Sequence, residues 1–170
     1  MTLPDRVSLR KIAPADRDAV ATLLRREWGD TRVVSLSLGG LVDAGTLPGL
    51  LAERDGEVVG MLMYRVAGGV ADIVTINAFE SGGVGAALIR ALVEEVRTAD
   101  VRRVRVSTTN DNTRALRFYQ RAGFHLTALH TDAVTASRRT KPQIPEFGQD
   151  GIPIRDELEL ELPIVPREQR

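Results

Sequence analysis

Glu80-Ser81-Gly82-Gly83-Val84-Gly85 stands between an apolar, β-branched run at residues 70–79 and a helical repeat, with no spacer on either side. A strand that ends in a glycine turn and feeds straight into a helix leaves the first helical amides without intrahelical partners, all directed at one spot. Those free donors and the positive end of the helix dipole favour a diphosphate or another anion. A Walker loop is excluded, because no Gly-Lys-Ser/Thr follows the turn. A dinucleotide fingerprint fits poorly: Leu88 stands where the third glycine belongs, and the preceding segments read as hairpins rather than a β-α-β opening. Downstream lies a second constellation, Asn112-Thr113-Arg114-Ala115-Leu116-Arg117-Phe118-Tyr119, which continues as a helix closed at Gly123 before Phe124.

The flanking patterns supply the elements that must hold these groups. Val84, Ala87, Leu88, Ala91, Leu92 and Val96 share one helical face, with Arg90, Glu94 and Arg97 opposite. Val101, Val104 and Val106 mark a strand at 101–109, so strand, helix and strand form a right-handed crossover with a parallel pair. Asp55-Gly56 between strand-like runs predicts a two-residue hairpin, making the middle of the chain an antiparallel meander. Near the start, a short strand at 7–12 precedes a helix carrying Val20, Leu23, Leu24 and Trp28 and stopped by Gly29. Residues 30–48 read as loop plus a short helix. After a strand at 124–129, residues 131–151 read as a short helix and an ordered, proline-bearing loop. Leu158, Leu160 and Leu162 then alternate with Glu157, Glu159 and Glu161, a strand with one buried and one wet face that could pair across a homodimer.

The 170 residues suit one domain, with a core at about 7–130 and residues 131–170 adding a long loop and a final strand. Lysine plus arginine and aspartate plus glutamate are both 23, so no global field draws in nucleic acid or an anionic membrane. Arg102, Arg103 and Arg105 read as a solvated strand edge. The lack of cysteine excludes disulfides, thiolate zinc sites and a cysteine nucleophile, and no metal site is expected. Neither a leader-like start nor an apolar run of membrane-spanning length is present, which leads us to expect a cytoplasmic protein.

The order of elements over residues 7–129, the glycine turn, and the Asn112, Ala115, Tyr119, Gly123, Phe124 pattern together resemble the Gcn5-related N-acetyltransferases (GNAT), and the tail at 141–145 and 151–158 resembles that of a bacterial subgroup without an assigned acceptor. The resemblance implies an α/β fold with a mixed, largely antiparallel sheet of about seven strands and helices on both faces. It further implies transfer of an acetyl group from acetyl-CoA to a primary amine, on a small molecule or a peptide, by direct attack in a ternary complex. A non-catalytic acyl-CoA-binding sensor is the alternative.

In that family the turn's backbone amides hold the pyrophosphate, here those of Ser81, Gly82, Gly83, Val84, Gly85 and Ala86. Thr75, Ile76 and Asn77 would pair with the pantetheine arm like an added strand, one N–H polarising the thioester carbonyl. The matching tyrosine, Tyr119, would protonate or hydrogen-bond the leaving thiolate, and Asn112 would be a cofactor contact or a helix cap. Glu80 departs from the usual glutamine or arginine and either repels the phosphates or points outward. An ammonium has no lone pair, so a base is needed; Asp72, Glu27, Glu157, Glu159 and His130 are candidates. Asp72 is favoured by position on the acceptor side, against its reading as a solvated surface aspartate. Arg138, Arg139 and Arg155 could receive an anionic group on the acceptor, or be plain surface arginines.

Overall fold

A computed structural model of the chain describes residues 6–97, 100–148 and 150–165. Its elements are β1 (Val7–Lys11), α1 (Arg17–Trp28), β2 (Arg32–Ser35), β3 (Gly40–Asp43), β4 (Gly49–Arg54), β5 (Glu57–Ala67), β6 (Val70–Ala78), α2 (Val84–Val96), β7 (Arg103–Thr109), α3 (Thr113–Arg121), β8 (His125–His130), α4 (Ala133–Ser137) and β9 (Glu157–Pro163). Seven strands form one sheet in the order β1-β4-β5-β6-β7-β9-β8. Every pairing is antiparallel except β6 with β7, where the α2 crossover returns the chain in parallel. The expected mixed, largely antiparallel sheet with helices on both faces is therefore present.

Each face of the sheet has its own core. Val84, Leu88, Leu92 and Val96 of α2 pack with Leu62, Ile73, Val104 and Leu160 of the sheet, and α3 adds Tyr119 to the same layer. On the opposite face, Val20 and Leu24 of α1 and Val33 of β2 meet Leu51, Met61, Met63 and Val74. At roughly 1.5–3 kcal/mol for each fully buried apolar side chain, four such residues hold α2 firmly, so its N-terminus is a fixed feature. The Asp55-Gly56 hairpin forms as expected, with both residues at positive φ (51° and 84°).

Two expectations need correction. Residues 30–48 hold the antiparallel pair β2–β3 and a single 3-10 turn, Ala44–Thr46, in place of a loop with a short helix. Strands of four residues carry too little alternation to be legible, and their pairing depends on packing against α1. β9, in turn, inserts between β7 and β8 and is hydrogen-bonded on both edges, so it cannot pair across a dimer. The face that was to be wet is covered as well, by Ser35 and Ser37 over Glu157, His130 beside Glu159 and Arg103 beside Glu161: Glu157 is buried and Glu159 and Glu161 are half-buried.

Candidate active site

The sheet opens where the chemistry must fit. β6 and β7 are paired only from Val70 opposite Arg103 to Ile73 opposite Val106. At that point β6 carries a bulge: Ile73 opposes Tyr64 and Thr75 opposes Met63 on β5, leaving Val74 as the extra residue. A bulge bends its strand, and beyond it β6 runs on beside β5 alone while β7 keeps only its pairing with β9. Backbone groups of Thr75, Ile76 and Asn77 on the β7 side thus lack a strand partner. The Thr75 hydroxyl is buried and, among the described residues, meets no partner. Thr75→Val should therefore raise stability by about 1 kcal/mol, seen as a higher urea midpoint at constant slope. A lower midpoint would mean that the hydroxyl is satisfied.

Two cavities meet at this opening. One, a groove of about 400 Å³, runs past Ile76, Glu80, Gly83, Gly85, Ala86 and Arg114. Its floor is the start of α2, whose cap Gly83 sits at φ 93° next to Gly82 at φ 101°, a region that side chains other than glycine rarely enter. Among the described residues no side chain caps α2, so its first amides face the groove side unspent. Ser81 and Gly82 are exposed beside it, and Val84 is buried under it. Glu80 does not point away: it lines the groove, and Arg54 of the β4–β5 hairpin binds its carboxylate, which neutralises the charge.

The second cavity, a cleft of about 410 Å³, lies beyond the splay between α1, β2 and β9 and is lined by Glu27, Trp28, Asn77, Thr109 and Glu157. Both cavities share Ile76, Asn112, Ala115 and Tyr119. The Tyr119 ring stacks at a tilt between Phe118 and Phe124, with centroids 5.3 and 5.6 Å away. Burial pushes its phenol well above the ordinary tyrosine range, so it stays protonated at neutral pH. Asn112 caps α3, accepting from Ala115 N at 3.1 Å, and so serves as a cap while also lining both cavities. The Asn77 side chain accepts from Trp28 Nε1 at 2.8 Å, tying α1 to the opened strand.

Of the candidate bases, only Glu27 and Glu157 line the cleft. Glu157 is 5% exposed. Its Oε1 accepts from Ser35 Oγ at 2.8 Å, Ser37 N at 3.0 Å and Ser37 Oγ at 2.5 Å, while among the described residues Oε2 accepts only from Leu36 N at 3.2 Å. Glu27 is partly exposed and bonds Arg26 at 2.6 Å. Asp72 is neither in the cleft nor solvated: it is 3% exposed, and takes Arg105 Nε at 2.6 Å and Arg65 Nη2 at 3.1 Å. The register explains this, because Asp72 stands directly opposite Arg65 on one neighbouring strand and Arg105 on the other. Arg105 is thus an interior ion-pair partner and no part of a solvated edge. Both arginines also reach the turn over Glu157, donating to Leu38 O at 3.1 Å and Ser37 O at 3.2 Å. Glu159 and His130 bond each other at 3.3 Å. Arg138 is spent on the carbonyls of Ile144, Pro145 and Ile154 and Arg155 on Asp156, so neither is a free anion receptor, and Arg139 is exposed away from both cavities. Among the described residues no cluster could hold a metal ion, and no helix is long and apolar enough to cross a membrane.

Residues 17–124, well over half of the chain, match the model of the acetyltransferase (GNAT) family. The chain belongs to that family. The Bacillus subtilis (strain 168) protein YxbD is 34% identical over 146 residues, spanning 85% of this chain and 91% of its own. The structure of an IAA acetyltransferase from Bacillus cereus ATCC 14579 aligns with a TM-score of 0.71 at 20% identity, over 92% of this chain and 99% of that one. A GNAT family acetyltransferase from Elizabethkingia anophelis with acetyl-CoA bound aligns with a TM-score of 0.64 at 18% identity, over 94% and 99% of the two chains. At such identities the structural likeness establishes the shared fold.

This GNAT acyltransferase also places at the site residues that the sequence did not single out. Ser35 and Ser37 hold Glu157, Arg54 neutralises Glu80, and Arg114 lines the groove. Arg54 had a local signal, since the hairpin that carries it was legible. The two serines had none, because they come to β9 from more than a hundred positions away.

Proposed function

We propose that this chain transfers the acetyl group of acetyl-CoA to a primary amine by direct attack within a ternary complex, the whole chain acting as one domain. The observation that carries the reading is the junction of groove and cleft at Tyr119: a thioester entering from one side and an amine from the other would meet there. The groove suits the carrier, with uncapped α2 amides for the pyrophosphate, a neutralised Glu80, and Arg114 as a cation for phosphate oxygens. The unpaired β6 backbone at Thr75, Ile76 and Asn77 suits an extended pantetheine arm.

Acetyl-CoA supplies the acyl group already activated as a thioester. A backbone N–H of that β6 segment holds the carbonyl oxygen as negative charge develops on it. Glu157 attracts the acceptor ammonium into the cleft and takes its proton, directly or through water. The amine nitrogen then bonds to the acyl carbon as the carbon–sulfur bond breaks, Tyr119 gives its proton to the departing thiolate, and the second proton shed by the acylated nitrogen passes through water to restore the phenol. Asp72 and Arg105 act at a distance by holding Ser37 against Glu157.

Thiol release by purified protein with acetyl-CoA, dependent on added amine and matched by acetylated amine in the mass spectrum, is the expected result. An acetylated protein formed before any amine is added would overturn the ternary mechanism. Gly83→Val forces a branched side chain into φ 93° and turns the cap amide away. Acetyl-CoA affinity should fall about tenfold or more, since 1.4 kcal/mol is a factor of ten and a hydrogen bond to a charged group contributes roughly 1.5–3 kcal/mol. Calorimetry on the folded variant showing unchanged affinity would remove the pyrophosphate from this corner.

A further inference from the structure

The cleft continues past Glu157. A further cavity of about 290 Å³ adjoins it, bounded by Glu27, Trp28, Val33, Val34, Thr109 and Glu157, which line both. Its far wall comes from the tail after α4, and Lys141 stands in that wall. Lys141 is 8% exposed, an uncommon condition for lysine. Its Nζ donates to the carbonyl oxygens of Trp28 at 3.1 Å and Arg32 at 3.0 Å. An ammonium has three donors, and among the described residues the third meets no acceptor and no carboxylate lies within ion-pair reach. Asp30 acts on it electrostatically, yet Arg32 binds the Asp30 carboxylate at 3.0 Å.

A buried cation without its own anion is costly, and burial indeed pushes this ammonium's pKa down. Binding the last carbonyl of α1 and the first of β2 explains two of its donors. It does not explain why the charge sits on the wall of a cavity that runs to the reacting end. The opposite charge, Glu157, stands where the two cavities join. The site therefore presents a carboxylate for an amine and, further in, a cation with a donor to spare.

Resting on the amine-acetylating reading above, we propose that Lys141 receives a carboxylate on the acceptor, so that this enzyme acetylates amines that also carry a carboxylate. The acceptor class is then the small amino acid, with its ammonium end toward Glu157 and Tyr119 and its carboxylate end toward the tail.

The test pairs each amino acid with its own neutral amide: glycine with glycinamide, then β-alanine, γ-aminobutyrate and longer ω-amino acids with theirs, one methylene at a time. Wild-type protein should favour the carboxylate over the amide by about tenfold or more in kcat/KM for at least one length, mostly through KM. Lys141→Met should erase that preference, while Lys141→Arg should keep part of it. Reading a ratio within each variant cancels any general loss from weakened packing of α1. A ratio near one in the wild type, or an equal ratio in Lys141→Met, would overturn the inference. If no amine is acetylated at all, calorimetric binding of the same pairs decides it. Carboxylate-selective binding lost in Lys141→Met would then uphold Lys141 and sink the acetyl-transfer reading, and unselective binding would sink Lys141 as well.

Discussion

Tyr119→Phe should lower kcat by about 10²- to 10³-fold while leaving acetyl-CoA affinity and KM for the amine within a few fold. The hydroxyl is the one polar atom removed, and the ring keeps its tilted contacts with Phe118 and Phe124. The fold should hardly notice. Burial keeps the phenol protonated and makes it a weaker acid, so its service is to donate a hydrogen bond to sulfur and to pass its proton on only as that proton is replaced. Single-turnover rates with saturating acetyl-CoA and amine give the cleanest measurement. An unchanged rate of the chemical step would hand sulfur protonation to water and reduce Tyr119 to a packing residue. The same shift makes a second, independent prediction. With the folded-state pKa raised above the unfolded value near 10, the unfolded chain loses this proton first, so wild-type stability falls as pH rises beyond about 10. Tyr119→Phe lacks that penalty and should gain on the wild type in alkaline urea titrations.

The parts of the site that were legible are those coded by neighbours in sequence. The glycine turn, the amphipathic face of α2 and the Asp55-Gly56 hairpin each rest on a few adjacent residues whose backbone preferences or periodicity decide the outcome. The same holds for α3, where Asn112 caps one end and Gly123 stands at φ 95° just past the other. What escaped the sequence is coded by pairing across distance. Asp72 reads as a lone acid in an apolar strand until the register sets an arginine on either side. Glu157 reads as one of three alternating acids until β9 slides between β7 and β8 and the β2–β3 turn closes over it. Lys141, in a proline-flanked tail, carries no local hint that its ammonium ends up buried against α1. For Glu157 and Lys141 a surface-like sequence context becomes a buried structural one through contacts more than a hundred positions apart, and for Asp72 through partners 7 and 33 positions away.

Glu157→Gln tests the other half of the reaction. The amide preserves shape, but one of its ends is now a donor. Placed at Oε2 it faces the Leu36 N–H, and placed at Oε1 it disturbs three donors, so stability should fall by about 1–3 kcal/mol whichever way it turns. Loss of the carboxylate should cost about 10²- to 10³-fold in kcat/KM for an alkylamine at neutral pH. Acetyl-CoA affinity should hold, because Glu157 lines the cleft and not the groove. The decisive reading is the dependence on acceptor basicity. A strongly basic amine arrives protonated and needs its proton removed, whereas a weakly basic one arrives with its lone pair free. The defect of Glu157→Gln should therefore shrink by about tenfold or more between an alkylamine and an acceptor whose conjugate acid titrates below neutrality, since that acceptor bypasses proton removal. An equal defect for both would assign Glu157 to holding the β2–β3 turn in place, and proton removal would pass to Glu27, the other carboxylate in the cleft.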